Sequence, residues 1–308
     1  MNEMQAVIAA VSAVVLFMYA LQGFSRELQA VGGQALQSWL TRVTSNRWLG
    51  FLIGAAATAV VQSSSAVTSL TTALVDAGVI TFQGSLGVLL GANVGTTATA
   101  WLVSLKLAGI GPLFIVVGAL LAILPWRVAV AGKATFYFGL VMFTLDLISS
   151  GLKPISAQPE FSALLAWAST PWLGVLLGAG VTALIQSSSV TTGVAVLLVQ
   201  QGVLPAESAI SLVVGANVGS TSTALVASAG MSRFAKATAR ANLLFNLVGM
   251  LAFLPFLDVF ARAVVQLAGG PALSVAWAHV VFNLTLSMGF LLVLRPIEPW
   301  LRRWVRCP

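Results

Sequence analysis

Gln62-Ser63-Ser64-Ser65 recurs as Gln186-Ser187-Ser188-Ser189 in a chain that is otherwise oily. These residue types suit an anion held without formal charge. Glutamine offers an acceptor oxygen and amide donors, and each serine offers a hydroxyl. Consecutive serines after a short helix also cap the next helix, because a serine oxygen accepts from the free N–H groups of its first turn. That helix start carries partial positive charge and unpaired donors, a combination that binds phosphate and carboxylate. A lone serine triplet in a membrane can equally serve close helix packing. Duplication together with the flanking glutamine favours a site.

A second motif, Gly91-Ala92-Asn93-Val94-Gly95, recurs as Gly215-Ala216-Asn217-Val218-Gly219. Thr96 and Thr97 follow the first copy, and Ser220 and Thr221 follow the second. The Gly-x-x-x-Gly spacing is by itself a packing motif of membrane helices. Two glycines flanking an asparagine also weaken a helix and free backbone carbonyls. Such carbonyls, with asparagine or threonine oxygens, form the ligand set of a dehydrated Na⁺. Each half then supplies donors for an anion and acceptors for a small cation, and the anion pocket itself contains no Lys or Arg.

Both motifs repeat at one offset of 124 residues, and Trp48–Thr97 aligns without a gap on Trp172–Thr221, with about 23 of 50 pairs identical. Two motifs repeated in one register mean an internal duplication. Only 7% of the 308 residues are charged and 58% are hydrophobic. A soluble domain carries about 25% charged residues. So few charges cannot cover a water-facing surface, and the chain belongs in a bilayer. The net charge of +7 reads as basic cytoplasmic loops. No aromatic-interleaved basic patch supports nucleic-acid binding. The single Cys307 excludes an intramolecular disulfide and a Cys-rich metal site. Met1–Gln5 has Glu3 and no basic residue, unlike a secretory signal, so Met4–Gly23 reads as a retained first span. No appended soluble domain is expected.

A span needs about 20 apolar residues. Seven segments meet or approach this: Met4–Gly23, Ser85–Leu105, Ala108–Leu124, Ala134–Ser150, Ser208–Ser228, Ala241–Phe260 and Val275–Leu294. Trp48–Val61 and Trp172–Ile185 are too short, at about 21 Å against a crossing of about 30 Å. Each is followed by a second short helical stretch, to Gly78 or Gly202. Each pair reads as a re-entrant hairpin, turning where protein or a water-filled cavity surrounds its polar backbone. Three true spans per half would invert the second half relative to the first. One membrane face then receives Arg26, Arg42, Arg47, Arg127, Lys133, Arg233, Lys236, Arg240, Arg295, Arg302, Arg303 and Arg306, and the other receives Lys106, Lys153 and Arg262. This bias places the N-terminus outside and the C-terminus in the cytoplasm. Phe24–Arg47 looks like an interfacial helix, with Glu160–Ser169 its counterpart.

The expected fold is therefore an all-α integral membrane protein with two inverted-topology repeats. Each repeat has a re-entrant hairpin and a broken transmembrane helix, giving about seven spans plus two hairpins. Residues 1–308 form one transport domain. The first repeat is 1–125 (hairpin 48–78, broken helix 85–105) and the second is 126–260 (hairpin 172–202, broken helix 208–228). Residues 261–308 are a final span and basic tail.

Other candidates are weaker. His279, Asn283, Asn242 and Asn246 read as interhelical hydrogen-bonding residues, since no second His or Cys stands near to build a metal site. Asp146 lies inside a span near its end, where a carboxylate is either functional or cheaply interfacial. Asp76 and Glu207 fall near the hairpin exits and read as solvated. A serine hydrolase is excluded: no Gly-x-Ser-x-Gly elbow exists, and one His cannot serve two equivalent sites.

The two Gln-Ser-Ser-Ser motifs, each followed by Thr68 or Thr192, and the two Gly-Ala-Asn-Val-Gly-(Thr/Ser)-Thr motifs resemble the type II sodium-dependent phosphate cotransporter family. The resemblance implies Na⁺-driven phosphate symport across a bacterial cytoplasmic membrane by alternating access, with elevator-like motion as the expectation. Phosphate would be held by Ser63, Ser64, Ser65, Ser187, Ser188, Ser189, Thr97 and Thr221. Na⁺ would be held by Gln62, Thr68, Asn93, Thr96, Gln186, Thr192, Asn217 and Ser220. No cofactor and no transition metal are expected beyond Na⁺ as coupling ion. The expected partners are phosphate, Na⁺ and lipid, and a homodimer would supply the fixed scaffold an elevator needs. Rival readings are another oxyanion, such as sulfate or a dicarboxylate, on the same fold, or an ion channel.

Overall fold

A computed structural model describes residues 3–42, 46–104, 109–125, 127–156, 163 and 166–307. Among them every regular element is helical. In chain order these are α1 (Glu3–Thr41), α2 (Arg47–Val61), α3 (Ser64–Asp76), α4 (Phe82–Gly95), α5 (Thr97–Ser104), α6 (Gly111–Ala122), α7 (Arg127–Ser156), α8 (Pro171–Ile185), α9 (Ser188–Gln200), α10 (Ala206–Ala227), α11 (Arg233–Phe253), α12 (Leu257–Leu267) and α13 (Pro271–Trp304). A 3₁₀ turn, Leu254–Phe256, joins α11 to α12. Six helical stretches among the described residues are long and apolar enough to cross a membrane. Large apolar side chains such as Ile8, Val11, Leu113 and Leu120 lie exposed on the outside, as suits a chain whose solvent there is lipid.

Three expectations change. The interfacial helix at Phe24–Arg47 is not separate, because α1 runs unbroken from Glu3 to Thr41. Gly23 does not end it: a Cβ there would collide with the Tyr137 ring of α7, so this glycine is a contact and not a stop. The span expected over Ala108–Leu124 is the 12-residue helix α6, shorter than a crossing. The break expected in both repeated spans occurs in one. Thr96 separates α4 from α5, whereas α10 continues through Gly215 and Gly219. Lys106 and most of Glu160–Ser169 lie outside the described residues, as do the side chains of Val31, Leu36, Arg127 and Lys153.

The repeated glycines are spent on packing. A Cβ on Gly91 would strike the Phe51 carbonyl and one on Gly95 the Ala55 carbonyl, both on α2. Gly215 and Gly219 meet the Val175 and Ala179 carbonyls of α8 in the same way. The Gly-x-x-x-Gly spacing thus brings α4 onto α2 and α10 onto α8, close enough for Cα–H···O contacts. Around these pairs, α3 packs on α4, α10 and α11, while α9 packs on α10, α5 and α13. α1, α7 and α6 form a separate layer in which α7 contacts both the others. Phe17 of α1, fully buried, seats against Gly193 of α9 and ties that layer to the core.

Asp76, the exposed last residue of α3, accepts the Ser232 amide at 2.6 Å, which joins α3 to the start of α11. This bond holds the carboxyl below its usual range. A depressed carboxyl contributes stability above its unfolded pKa and loses it as pH falls through the folded value. The melting temperature of wild type should therefore exceed that of Asp76→Asn at neutral pH, and the gap should close below about pH 4. The glycine contacts make a second prediction. Gly91→Ala forces backbone apart and should destabilise by about 1–3 kcal/mol. Gly180→Ala meets nothing within 4 Å and should be neutral or stabilising by up to about 1 kcal/mol. Thermal unfolding of the purified protein in detergent checks both.

Candidate anion site at two helix breaks

Each serine triplet follows a helix that ends on a left-handed glutamine. Gln62 has φ 56° and its amide donates to the Thr58 carbonyl; Gln186 has φ 58° and donates to the Thr182 carbonyl. The next residue is extended and caps the following helix. Ser63 Oγ accepts from Ala66 N at 3.2 Å and Ser187 Oγ from Val190 N at 3.4 Å. The first intrahelical amides are Val67 and Thr191, which donate to the carbonyls of Ser63 and Ser187. The amides of Ser64, Ser65, Ser188 and Ser189 precede them and stand among the free donors of a helix start. Glycine is the usual residue for such a left-handed cap. A non-glycine residue there costs about 1–2 kcal/mol, so the glutamines are kept for their amides.

The two breaks meet. Gln62, Ser63, Ser64 and Ser65 line one cavity of about 290 Å³ together with Gln186, Ser187, Ser188 and Ser189. Thr99 of α5 links them: its hydroxyl donates to Gln62 Oε1 at 3.0 Å and lies 3.4 Å from Ser189 Oγ. Ser64 Oγ donates to Thr96 Oγ1 at 3.5 Å. The remaining expected ligands stand outside the cavity lining. Thr68, Ser220 and Thr221 donate to carbonyls of their own helices, and Thr97 of α5 donates to the Val94 carbonyl of α4. Asn93 and Thr192 are buried, each with one polar atom unpartnered. Asn217 donates to the Val213 carbonyl and turns its Oδ1 to His279 Nε2 at 3.5 Å. His279 thus joins two helices, as its isolation in the sequence suggested. Asp146 accepts the Gly109 amide at 3.3 Å just ahead of α6.

Two contributors escaped the sequence reasoning. Thr99 lies two residues past the motif, and the hydroxyl of its repeat counterpart Thr223 is buried with no partner. The other is α1, whose Gln22, Ser25, Arg26 and Gln29 line the same cavity. This corrects the expectation that no Lys or Arg serves the pocket. The signal was present as a polar stripe at i, i+3, i+4 and i+7 through an apolar helix. Assigning Phe24–Arg47 to an interfacial helix hid it.

A bundle of apolar helices around one polar cavity built from two repeated helix breaks defines a membrane transport protein. The chain belongs to the family described as Na⁺/Pi-cotransporter, whose profile matches residues 16–150 and 144–267. It is 30% identical over 284 residues to YqeW of Bacillus subtilis (strain 168), covering 91% of this chain and 92% of that one. It is 29% identical over 298 residues to YjbB of Escherichia coli (strain K12), named provisionally for inorganic phosphate export, covering 96% of this chain and 55% of YjbB. The human sodium-dependent phosphate transport protein 2B is 30% identical over 152 residues, 44% of this chain and 22% of that protein. No solved structure matches the chain.

The left-handed caps make a prediction about stability. Gln186→Gly removes the backbone strain without breaking a side-chain bond and should raise Tm by about 2–4 °C. Gln62→Gly also loses the bond from Thr99 and its own bond to the Ala59 carbonyl, each worth about 1 kcal/mol, and should not raise Tm.

Proposed function

We propose that this protein carries inorganic phosphate across the cytoplasmic membrane, coupled to Na⁺, with one phosphate held between the two helix breaks. The observation that carries the reading is the single cavity lined by both Gln-Ser-Ser-Ser turns. The six serines and the free amides at the starts of α3 and α9 donate to the anion oxygens. Thr97 and Thr221, with hydroxyls committed to Val94 and Val218, enter only if they release them. Na⁺ sites lie between each break and its neighbouring span, with Gln62, Thr68, Asn93 and Thr96 in one half and Gln186, Thr192, Asn217 and Ser220 in the other. The unpartnered hydroxyl oxygen of Thr192 favours this placement, because buried polar groups without partners are costly; on Asn93 the atom that could ligate Na⁺ is Oδ1, since its unpartnered Nδ2 is a donor. A dianion in a low-dielectric site needs positive charge beside it, so Na⁺ and phosphate each raise the affinity of the other by the same factor.

α2–α3 and α8–α9 act as re-entrant hairpins of two inverted repeats, and the unit they form moves against the layer of α1, α6 and α7 in an elevator-like step. The gradients set the direction of flux. The expectation from the related proteins is divided here, since one is named for sodium-dependent transport and another for export.

Radiolabelled phosphate uptake into proteoliposomes tests the proposal. Uptake should require an inward Na⁺ gradient, be competed by arsenate more strongly than by sulfate or succinate, and fall by at least tenfold in Gln62→Ala with Gln186→Ala. Uptake indifferent to Na⁺ would contradict it.

A further inference from the structure

We infer that Arg26 of α1 is an anion-recognition residue that faces the two helix breaks and fixes the preference of the site for a doubly charged oxyanion. The inference rests on the phosphate reading above and adds to it a residue outside both repeated motifs. Every other side chain lining the cavity is neutral, and none is acidic. Among the described residues Arg26 is therefore the only formal charge lining the cavity between the serine triplets. It lies within the stretch Val7–Ala30, which is long and apolar enough to cross a membrane. It stands near the end of that stretch, and charged residues on such helices pair or line a polar path. Arg26 is unpaired, since among the described residues it has no ion pair and no hydrogen-bond partner, and it lines the cavity. Glu27 is adjacent in sequence, but neighbours on a helix do not face each other.

The setting of Arg26 is built for an anion. Gln22 and Gln29 flank it on the same stripe and line the same cavity. Gln29 Nε2 donates to Ser25 Oγ at 3.0 Å, which holds that part of the stripe toward the site. Guanidinium groups bind tetrahedral oxyanions through paired N–H donors, which a single ammonium cannot match. Phe17, about two and a half turns earlier on α1, seats against Gly193 of α9, which brings α1 beside the second break in this arrangement. The alternative is an arginine that merely extends to the lipid headgroups. Such an arginine would leave phosphate binding unchanged when replaced.

Equilibrium binding of radiolabelled phosphate to the purified full chain, at saturating Na⁺, separates the two. Arg26→Gln should weaken phosphate binding by about tenfold or more, and Arg26→Lys should recover part of the loss. Added choline chloride should weaken binding to wild type more than to Arg26→Gln, because it screens one charge fewer in the variant. Thermal unfolding and gel filtration report whether each variant folds. If Arg26→Gln does not fold, Gln22→Leu with Gln29→Leu removes the flanking donors, and the same ordering of affinities is required. Wild-type affinity in Arg26→Gln would overturn the inference while leaving the phosphate reading intact. A wild type that binds no phosphate would overturn both.

Discussion

The structure depends on how closely two helices approach two others. Gly91 and Gly95 let α4 lie against the carbonyls of α2, and Gly215 and Gly219 do the same for α10 on α8. No side chain fits at these contacts, so each helix that ends at a glutamine is held rigidly against a central helix. The breaks at Gln62 and Gln186 are in turn placed at fixed heights. A protein interior transmits strain because it is close-packed, and the two glycine seams are where that rigidity enters.

On this frame the two helix breaks become one site. Each carries a left-handed glutamine, a capping serine and two free amides, and Thr99 joins Gln62 to Ser189 across the halves. The two halves are alike in sequence but not in contact. Thr99 is bonded, while its counterpart Thr223 has no partner. Gln62 is half-buried and Gln186 exposed.

Much of this was legible in the residues alone. A polar interruption after 14 apolar residues, seen twice at one offset, gave away the breaks, and Gly78 and Gly202, at φ 71° and 70°, mark where α3 and α9 end. What was hidden had physical causes. The glycines of the second motif were ambiguous between unwinding a helix and packing it. Packing won in both copies, since Gly91 and Gly95 stay helical in α4 as Gly215 and Gly219 do in α10, and the one break falls at Thr96, just past the motif. α1 continued past Gly23 because that glycine receives Tyr137, a long-range contact that no local pattern reveals. Thr99 sits outside the motif, so only the fold shows it touching both breaks. Arg26 was visible as a charge but not as a wall of the cavity.

The charge balance follows from these corrections. A site of serines and glutamines alone would leave all neutralisation to bound cations, whereas Arg26 supplies one positive charge from a separate layer of the molecule. The central claim is that the two repeated breaks form one anion site and not two. Counting bound phosphate per chain by equilibrium dialysis at saturating Na⁺ tests this most directly, in wild type and in variants with either serine triplet replaced by alanine. The account predicts one phosphate per chain, with binding lost when either triplet is replaced. Two phosphates per chain, one surviving each replacement, would contradict it.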